Sequence, residues 1–585
     1  MTLRLPLIAL ALGCMVPTMP IYPAKAAQAE VPASADERLQ ALYEADWAWQ
    51  MAEFARTRDE DGQLTPGDGL PAVDSATQMR RLAHRENTLR ELDAIPLEAL
   101  SDKERINASV FRTNLEIAIA DARYREWEMP LNSDTAFWTG LNPRPGQLTT
   151  IEDYRRFLGR LGDIPRFFSE NIANMRAGLA RGFTVPRVTL AGRDAAIAPY
   201  TETDPEANPF FASFAHMPPT IPATEQEALR AEARTVIRDA VAPAFAELLR
   251  FYREDYYPAA RTETAASTLP DGAGYYAAQI REYTTLDMTA EEIHRIGLAE
   301  VARIRGDMEA TIAETGFEGS FDEFLTFLRT DPQFYAETPE ELMMFVAWVA
   351  VRANATLGDV IGLLPRRRFT ILPVPDEIAP FYTAGRGGLE SCLMNTYNLP
   401  SRPLYNLPAL TLHECAPGHS MQAALAEEQE AGPEFRRYTY FSGYGEGWGL
   451  YVEYLGTEMG IYRTPYEHFG RMTYEMWRAA RLVIDTGLHH YGWSRQQAID
   501  YLASNTALSD HEVETEIDRY ISWPGQALAY KLGELKIREL RAEAEAALGE
   551  NFDRRTFHDA ILALGSVPLS TLESEMRRWI ADQQG

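Results

Sequence analysis

The chain has 585 residues, and 56 basic against 85 acidic side chains leave a formal net charge of -29. With 46% hydrophobic and 24% charged residues it has a globular composition, which excludes a disordered chain. The acidity argues against nucleic acid or an anionic membrane surface as a partner, because both repel a negative chain.

Residues 1–26 read as a secretory signal. Arg4 gives the positive start, Leu5 to Val16 the apolar run, and Ala24-Lys25-Ala26 the small residues at the cleavage positions. The run is too short for a bilayer, which needs about 20 apolar residues. Cleavage after Ala26 removes Arg4 and Lys25, takes the charge to -31 and makes the protein exported, periplasmic or secreted. Cys14 leaves a lipid-anchored reading open, although Ala11 stands where such signals usually carry Leu. No later stretch is apolar enough for a stable membrane span. Only Cys392 and Cys415 remain after cleavage; one disulfide and two buried thiols both fit.

Most of the rest reads as helix. Ala35 to Arg58, Ser101 to Glu126 and Thr224 to Tyr256 carry apolar residues at spacings of three and four. Ser101-Asp-Lys-Glu104 and Thr289-Ala-Glu-Glu292 read as capping boxes, the second opening a helix to about Thr315. Between them, the proline-rich stretch 184–223 reads as a long loop or linker. Further helices are expected over 338–357, 444–459, 465–490, 494–504, 509–521, 526–547 and 568–582. The strand candidate is Phe369-Thr-Ile-Leu-Pro-Val374, with Gly385-Arg-Gly-Gly388 after it as a turn. The expectation is therefore a mainly α, large multi-helical fold with a small β element near residues 366–376. A soft boundary near 270–285 divides an N-terminal helical region, 27–275, from a C-terminal catalytic region, 276–585.

The chemistry concentrates in Thr411-Leu-His-Glu-Cys-Ala-Pro-Gly-His-Ser-Met-Gln422. A His-Glu pair followed by a second His is the pattern of a zinc-peptidase helix, where two imidazoles hold Zn²⁺ and the carboxylate deprotonates water. The usual spacing of the histidines is four. Here His413 and His419 are six apart, so on a straight helix their side chains would point roughly 120° apart. One metal is reachable only if the helix breaks between them, and Pro417-Gly418 is the candidate breaker. Glu446, in Gly443-Tyr-Gly-Glu446-Gly-Trp448, is the candidate third ligand. Glu453 lies seven residues on, on the same face, and is a candidate to orient a ligating histidine.

These blocks, with the later Trp523-Pro-Gly-Gln526, resemble the bacterial family of unknown function DUF885, itself similar to glutamate-zincin metallopeptidases. The resemblance runs from about residue 38 to 580. It implies a mostly helical fold and a zinc hydrolase with one Zn²⁺ per chain, and no particular substrate.

Downstream, Arg481, Asp485 and His489 share one helix face. Asp485 is a further candidate to orient the site. Tyr520 or His489 is the candidate donor for a developing oxyanion, as in helical peptidases resembling angiotensin-converting enzyme. Arg519 and Lys531 are candidates for binding a substrate carboxylate. The leading expectation is an exported zinc-dependent peptidase cutting short peptides, with Glu414 as general base and His413, His419 and Glu446 as ligands. Hydrolysis of a non-peptide amide or ester, and a noncatalytic peptide-binding protein with a vestigial site, are the alternatives.

Overall fold

The computed structural model describes residues 34–584 apart from 60–61, 134, 144–145, 377–378 and 429–431. The signal segment 1–26 and Cys14 lie outside the described residues. The fold is mainly α. Helices of eight or more residues run, in order, α1 Ala35–Glu53, α2 Ser75–Asp93, α3 Asp102–Tyr124, α4 Ile151–Arg181, α5 Ala223–Val236 and α6 Ala242–Phe251. Next come α7 Gly272–Thr284, α8 Ala290–Thr315, α9 Phe321–Thr330 and α10 Pro339–Thr356. The site-bearing half holds α11 Leu407–Glu414, α12 His419–Glu428, α13 Ser442–Glu458 and α14 Pro465–His489. It closes with α15 Arg495–Asn505, α16 Asp510–Ser522, α17 Ala529–Leu548, α18 Arg554–Ala563 and α19 Leu569–Gln584.

Local chemistry sets many of these ends. Thr289 and Glu292 form the expected capping box of α8, and Ser494 with Gln497 and Ser509 with Glu512 do the same for α15 and α16. The expected box at Ser101 is half made. Ser101 Oγ accepts from the Glu104 N–H, but the Ser101 N–H goes to Asp36 instead. The helix expected to reach Arg58 stops at Glu53. Arg56–Arg58 (β1) turns back to pair antiparallel with Leu64–Pro66 (β2). The helix expected over 224–256 is broken by π-turns at Ile237–Val241 and Tyr252–Tyr256. Pro243, which has no N–H to donate, follows the first and Pro258 the second. Residues 184–223 are an ordered run of short helical turns.

The strand expected near 369–374 is β3, Thr370–Pro373. It pairs in parallel with β5, Ser391–Met394, and the sheet order is β3-β5-β4. Gly385–Gly387, expected as a turn, is the edge strand β4, antiparallel to β5 with Arg386 opposite Leu393. One core unites the two ends of the chain: Leu39, Val110 and Phe111 pack in the same cluster as Leu412, Trp448 and Leu572. A separate core holds α4 against α5 and α6, and a third joins α8, α14 and α16. Among the described residues no helix is long and apolar enough to cross a membrane.

Candidate metal centre

The break between the histidines is present. α11 ends at Glu414, Cys415 leaves helical geometry, and α12 begins at His419. The turn folds back so tightly that a Cβ on Gly418 would lie 1.9 Å from the His413 carbonyl oxygen. Only glycine fits there. Trp448 Nε1 on α13 donates to the Pro417 carbonyl at 2.9 Å and pins the turn to the neighbouring helix.

The result is convergence of the two rings, whose centroids are 4.8 Å apart. His413 Nε2 lies 3.4 Å and His419 Nε2 3.3 Å from the same oxygen, Glu446 Oε2. One ligand atom from each of the three residues lies within 4.8 Å of the others. α13 reaches this close because Gly449 has no side chain; a Cβ there would strike the His413 ring at 2.7 Å. The buried Glu453 takes His413 Nδ1 at 2.7 Å, which leaves Nε2 facing Glu446. Burial opposes a charge on His413, but its bonds to Glu446 and Glu453 outweigh that and raise its pKa to about 10. For Glu446 burial also works against the charge, yet the two histidines hold it ionised, well below the usual carboxylate range. Two imidazoles and a carboxylate at these separations are a donor set that suits zinc.

Glu414 sits beside this set, held through Oε2 by the Gly387 N–H of β4 at 2.6 Å. A disulfide joins Cys392 of β5 to Cys415, the residue after Glu414, with the Cα atoms 5.4 Å apart. It ties the small sheet to the end of α11 and answers the question the two cysteines left open. Tyr440, which sequence reasoning missed, donates its hydroxyl to Glu446 Oε1 at 3.3 Å.

Comparison with known proteins adds the family. The model described as "Bacterial protein of unknown function (DUF885)" matches residues 57–576. The chain belongs to this family. Among solved structures, this DUF885 chain is similar to one described as a "putative lipoprotein" from Colwellia psychrerythraea. The two share 26% identity with a TM-score of 0.85, over 94% of this chain and all of that one. A second, described as a "putative lipoprotein of unknown function" from Shewanella oneidensis, is 17% identical with a TM-score of 0.68, over 93% of this chain and all of that one. The second shows the fold alone. No curated protein matches the chain.

The remaining expected site residues of the DUF885 chain have other employment. His489 is fully buried, accepts the Ala266 N–H at Nδ1 and bonds the Tyr520 carbonyl through Nε2, so neither nitrogen is open to a substrate. Burial lowers its pKa to about 3. Asp485 orients no metal ligand: it receives Tyr276 OH and the Gly525 N–H and anchors the Trp-Pro-Gly turn. Lys531 is fully buried against Glu300, Glu475 and Glu534, with its charge spent inside the fold. Tyr520 OH accepts from Trp477 Nε1 and Arg481 Nε rather than facing the histidines. Arg519 is held by Glu516 and Gln526.

A second acidic group, Asp121, Glu126 and Glu282, also brings ligand atoms within 4.8 Å. Burial and mutual repulsion raise Glu126 to about 8, and burial raises Asp121 to about 6. A carboxyl with a raised native pKa is protonated in the fold where the unfolded chain is ionised, so its contribution falls as pH rises from about 4 to 8. Glu126→Gln is therefore expected to gain thermal stability relative to wild type over pH 5 to 8, by a few °C at the upper end. Paired melts across that range measure it; a constant gap would contradict the raised pKa.

Proposed function

We propose that this chain is an exported zinc-dependent hydrolase, and that its substrates are peptides. The observation that carries this reading is the convergence of His413 Nε2 and His419 Nε2 on Glu446 Oε2, with the Glu414 carboxylate alongside. His413, His419 and Glu446 would hold the ion, with Glu453 fixing the His413 ring. Bound there, zinc supplies a Lewis acid that polarises a carbonyl and acidifies water. Glu414 acts as general base. Its Oε2 is anchored by the Gly387 N–H, which assigns Oε1 to the proton taken from the attacking water. Tyr440 replaces Tyr520 and His489 as donor to the developing oxyanion, since its hydroxyl lies beside the ligand set.

The edge strand favours a peptide over an ester. Antiparallel pairing alternates, so with the Gly387 N–H on Glu414 the polar groups of Gly385 and Gly387 face away from β5. The Gly387 N–H is spent on Glu414, so an extended chain laid along that edge would pair with the Gly385 N–H and C=O, next to the general base. Export is supported by the signal-like residues 1–26, by the lipoprotein description of the 26% identical structure and by the disulfide, which persists in oxidising compartments.

The test is elemental mass spectrometry on the purified mature protein beside His419→Ala. About one zinc per chain is expected in wild type and none in the variant. A wild-type protein that stays metal-free after incubation with zinc would sink the proposal.

A further inference from the structure

β4 is a weak strand in a place that needs a firm one. It is three residues long, two of them glycine, at the edge of a three-stranded sheet. Glycine loosens a strand, because it has the most backbone freedom to lose and no side chain to pack. Ladder hydrogen bonds alternate, so with the Gly387 N–H turned to Glu414 the pair that bonds to β5 is Arg386 with Leu393. Yet this strand carries the N–H that holds the Glu414 carboxylate. The next N–H, of Gly388, donates at 3.1 Å to Ser420 Oγ, buried beside His419. The hairpin of β4 and β5 therefore grips the turn between α11 and α12 on both sides of its break.

The hold on that turn is covalent. Gly387 stands opposite Cys392 of β5, and opposite residues of an antiparallel pair present the same face of the sheet. That face is the one against the turn: a Cβ on Gly387 would lie 2.0 Å from the Glu414 carbonyl oxygen and 2.6 Å from His419 Cβ. On the same face Cys392 is bonded to Cys415. The links close a ring. The Glu414 side chain accepts from Gly387, Gly387 is paired with Cys392, Cys392 is bonded to Cys415, and Cys415 follows Glu414 in the chain. A chain of 585 residues has core enough to fold without a staple, and the two cysteines beyond the signal-like segment are the two that meet at the general base.

We propose that the Cys392–Cys415 disulfide is the positioning device of the general base: it clamps β4 on the turn, so that the Gly387 N–H keeps the Glu414 carboxylate at the metal centre, and turnover depends on the bond being intact. The clamp itself needs no hydrolysis; only its effect on turnover rests on the peptidase reading. The turn has its own supports in the close packing at Gly418 and in the bond from Trp448 Nε1 to the Pro417 carbonyl. His413 and His419 therefore stay converged without the disulfide, which acts on the base and not on the metal.

The test is Cys392→Ala/Cys415→Ala in the zinc-loaded protein, with Cys392→Val/Cys415→Ala, which refills part of the lost volume, as a guard against misfolding. Hydrogen exchange read by mass spectrometry is expected to show the β4 segment losing protection while α13 keeps it. On a peptide found in a library, kcat is expected to fall about 10- to 100-fold, the cost of a misplacement of about 1 Å, at unchanged KM and zinc content. A disulfide that only stabilises the fold is indifferent to the base, so the deciding measurement repeats the two cysteine substitutions in Glu414→Gln. No further fall in kcat is expected there, because the group being positioned is already gone. An equal fall in both backgrounds overturns the proposal. So does a β4 segment that keeps its protection, or a kcat that stays at the wild-type value without the disulfide. If wild type cleaves no peptide but β4 still loses protection with the disulfide, the clamp stands and the peptidase reading falls.

Discussion

Glu414→Gln is expected to keep about one zinc per chain and to lose turnover by 10²–10⁴-fold, the usual contribution of a positioned general base. Glutamine has nearly the shape of glutamate and its carbonyl oxygen still accepts the Gly387 N–H, so β4 and the end of α11 should stay in place. What it cannot do is take a proton from water. Glu414 is outside the set of three converging ligand atoms, so the metal should not leave with it. The measurement is cleavage of a peptide library by mass spectrometry alongside zinc content. Near-normal turnover would show that another group is the base, and lost zinc would show that Glu414 is a ligand.

The outcome matters because the parts of the site differ in how far sequence could reveal them. His413, Glu414, His419, Glu446 and Glu453 lie in two short blocks, and helical geometry relates each to its block-mates. Even the odd six-residue spacing carried its own remedy in Pro417-Gly418. Tyr440 had no such signature: it reaches Glu446 from the loop before α13, and no period relates loop to helix. The face shared by Arg481, Asp485 and His489 was read correctly as a face, but periodicity does not say what a face meets. For Asp485 and His489 the partners are Tyr276, Gly525 and Ala266, elements far away in sequence. Lys531 looked like a free cation because two of its three glutamates come from other helices, α8 and α14, although the third, Glu534, stands three residues on in α17 itself.

The fold was legible where caps and periodicity are local and illegible where pairing is remote. α14 was expected over 465–490 and runs Pro465–His489. β4 was missed because its two glycines favour a turn, and strand identity there comes from pairing with β5. The Cys392–Cys415 bond is likewise a statement about two elements meeting, which spacing along the chain does not contain.

Gly418→Ala is the sharpest test of how the site is built. If the folded-back turn is what closes the histidine pair, one methyl group should open it. The added Cβ would lie 1.9 Å from the His413 oxygen and 2.3 Å from the Leu412 oxygen, and both are backbone atoms that no rotamer change can move. The turn must open, and His419, the next residue, must move with it. A metal site tolerates errors of only about 0.2 Å in its distances, so zinc affinity is expected to fall about 100-fold or more. Overpacking of this kind also costs stability, about 1–3 kcal/mol. Gly306→Ala on α8, where nothing lies within 4 Å of the new Cβ, is the matched control and should bind zinc like wild type. Competition against a zinc chelator reads both affinities. A Gly418→Ala protein with wild-type affinity would mean that the histidines converge for some other reason, and that the tight turn is a by-product of the metal site rather than its cause.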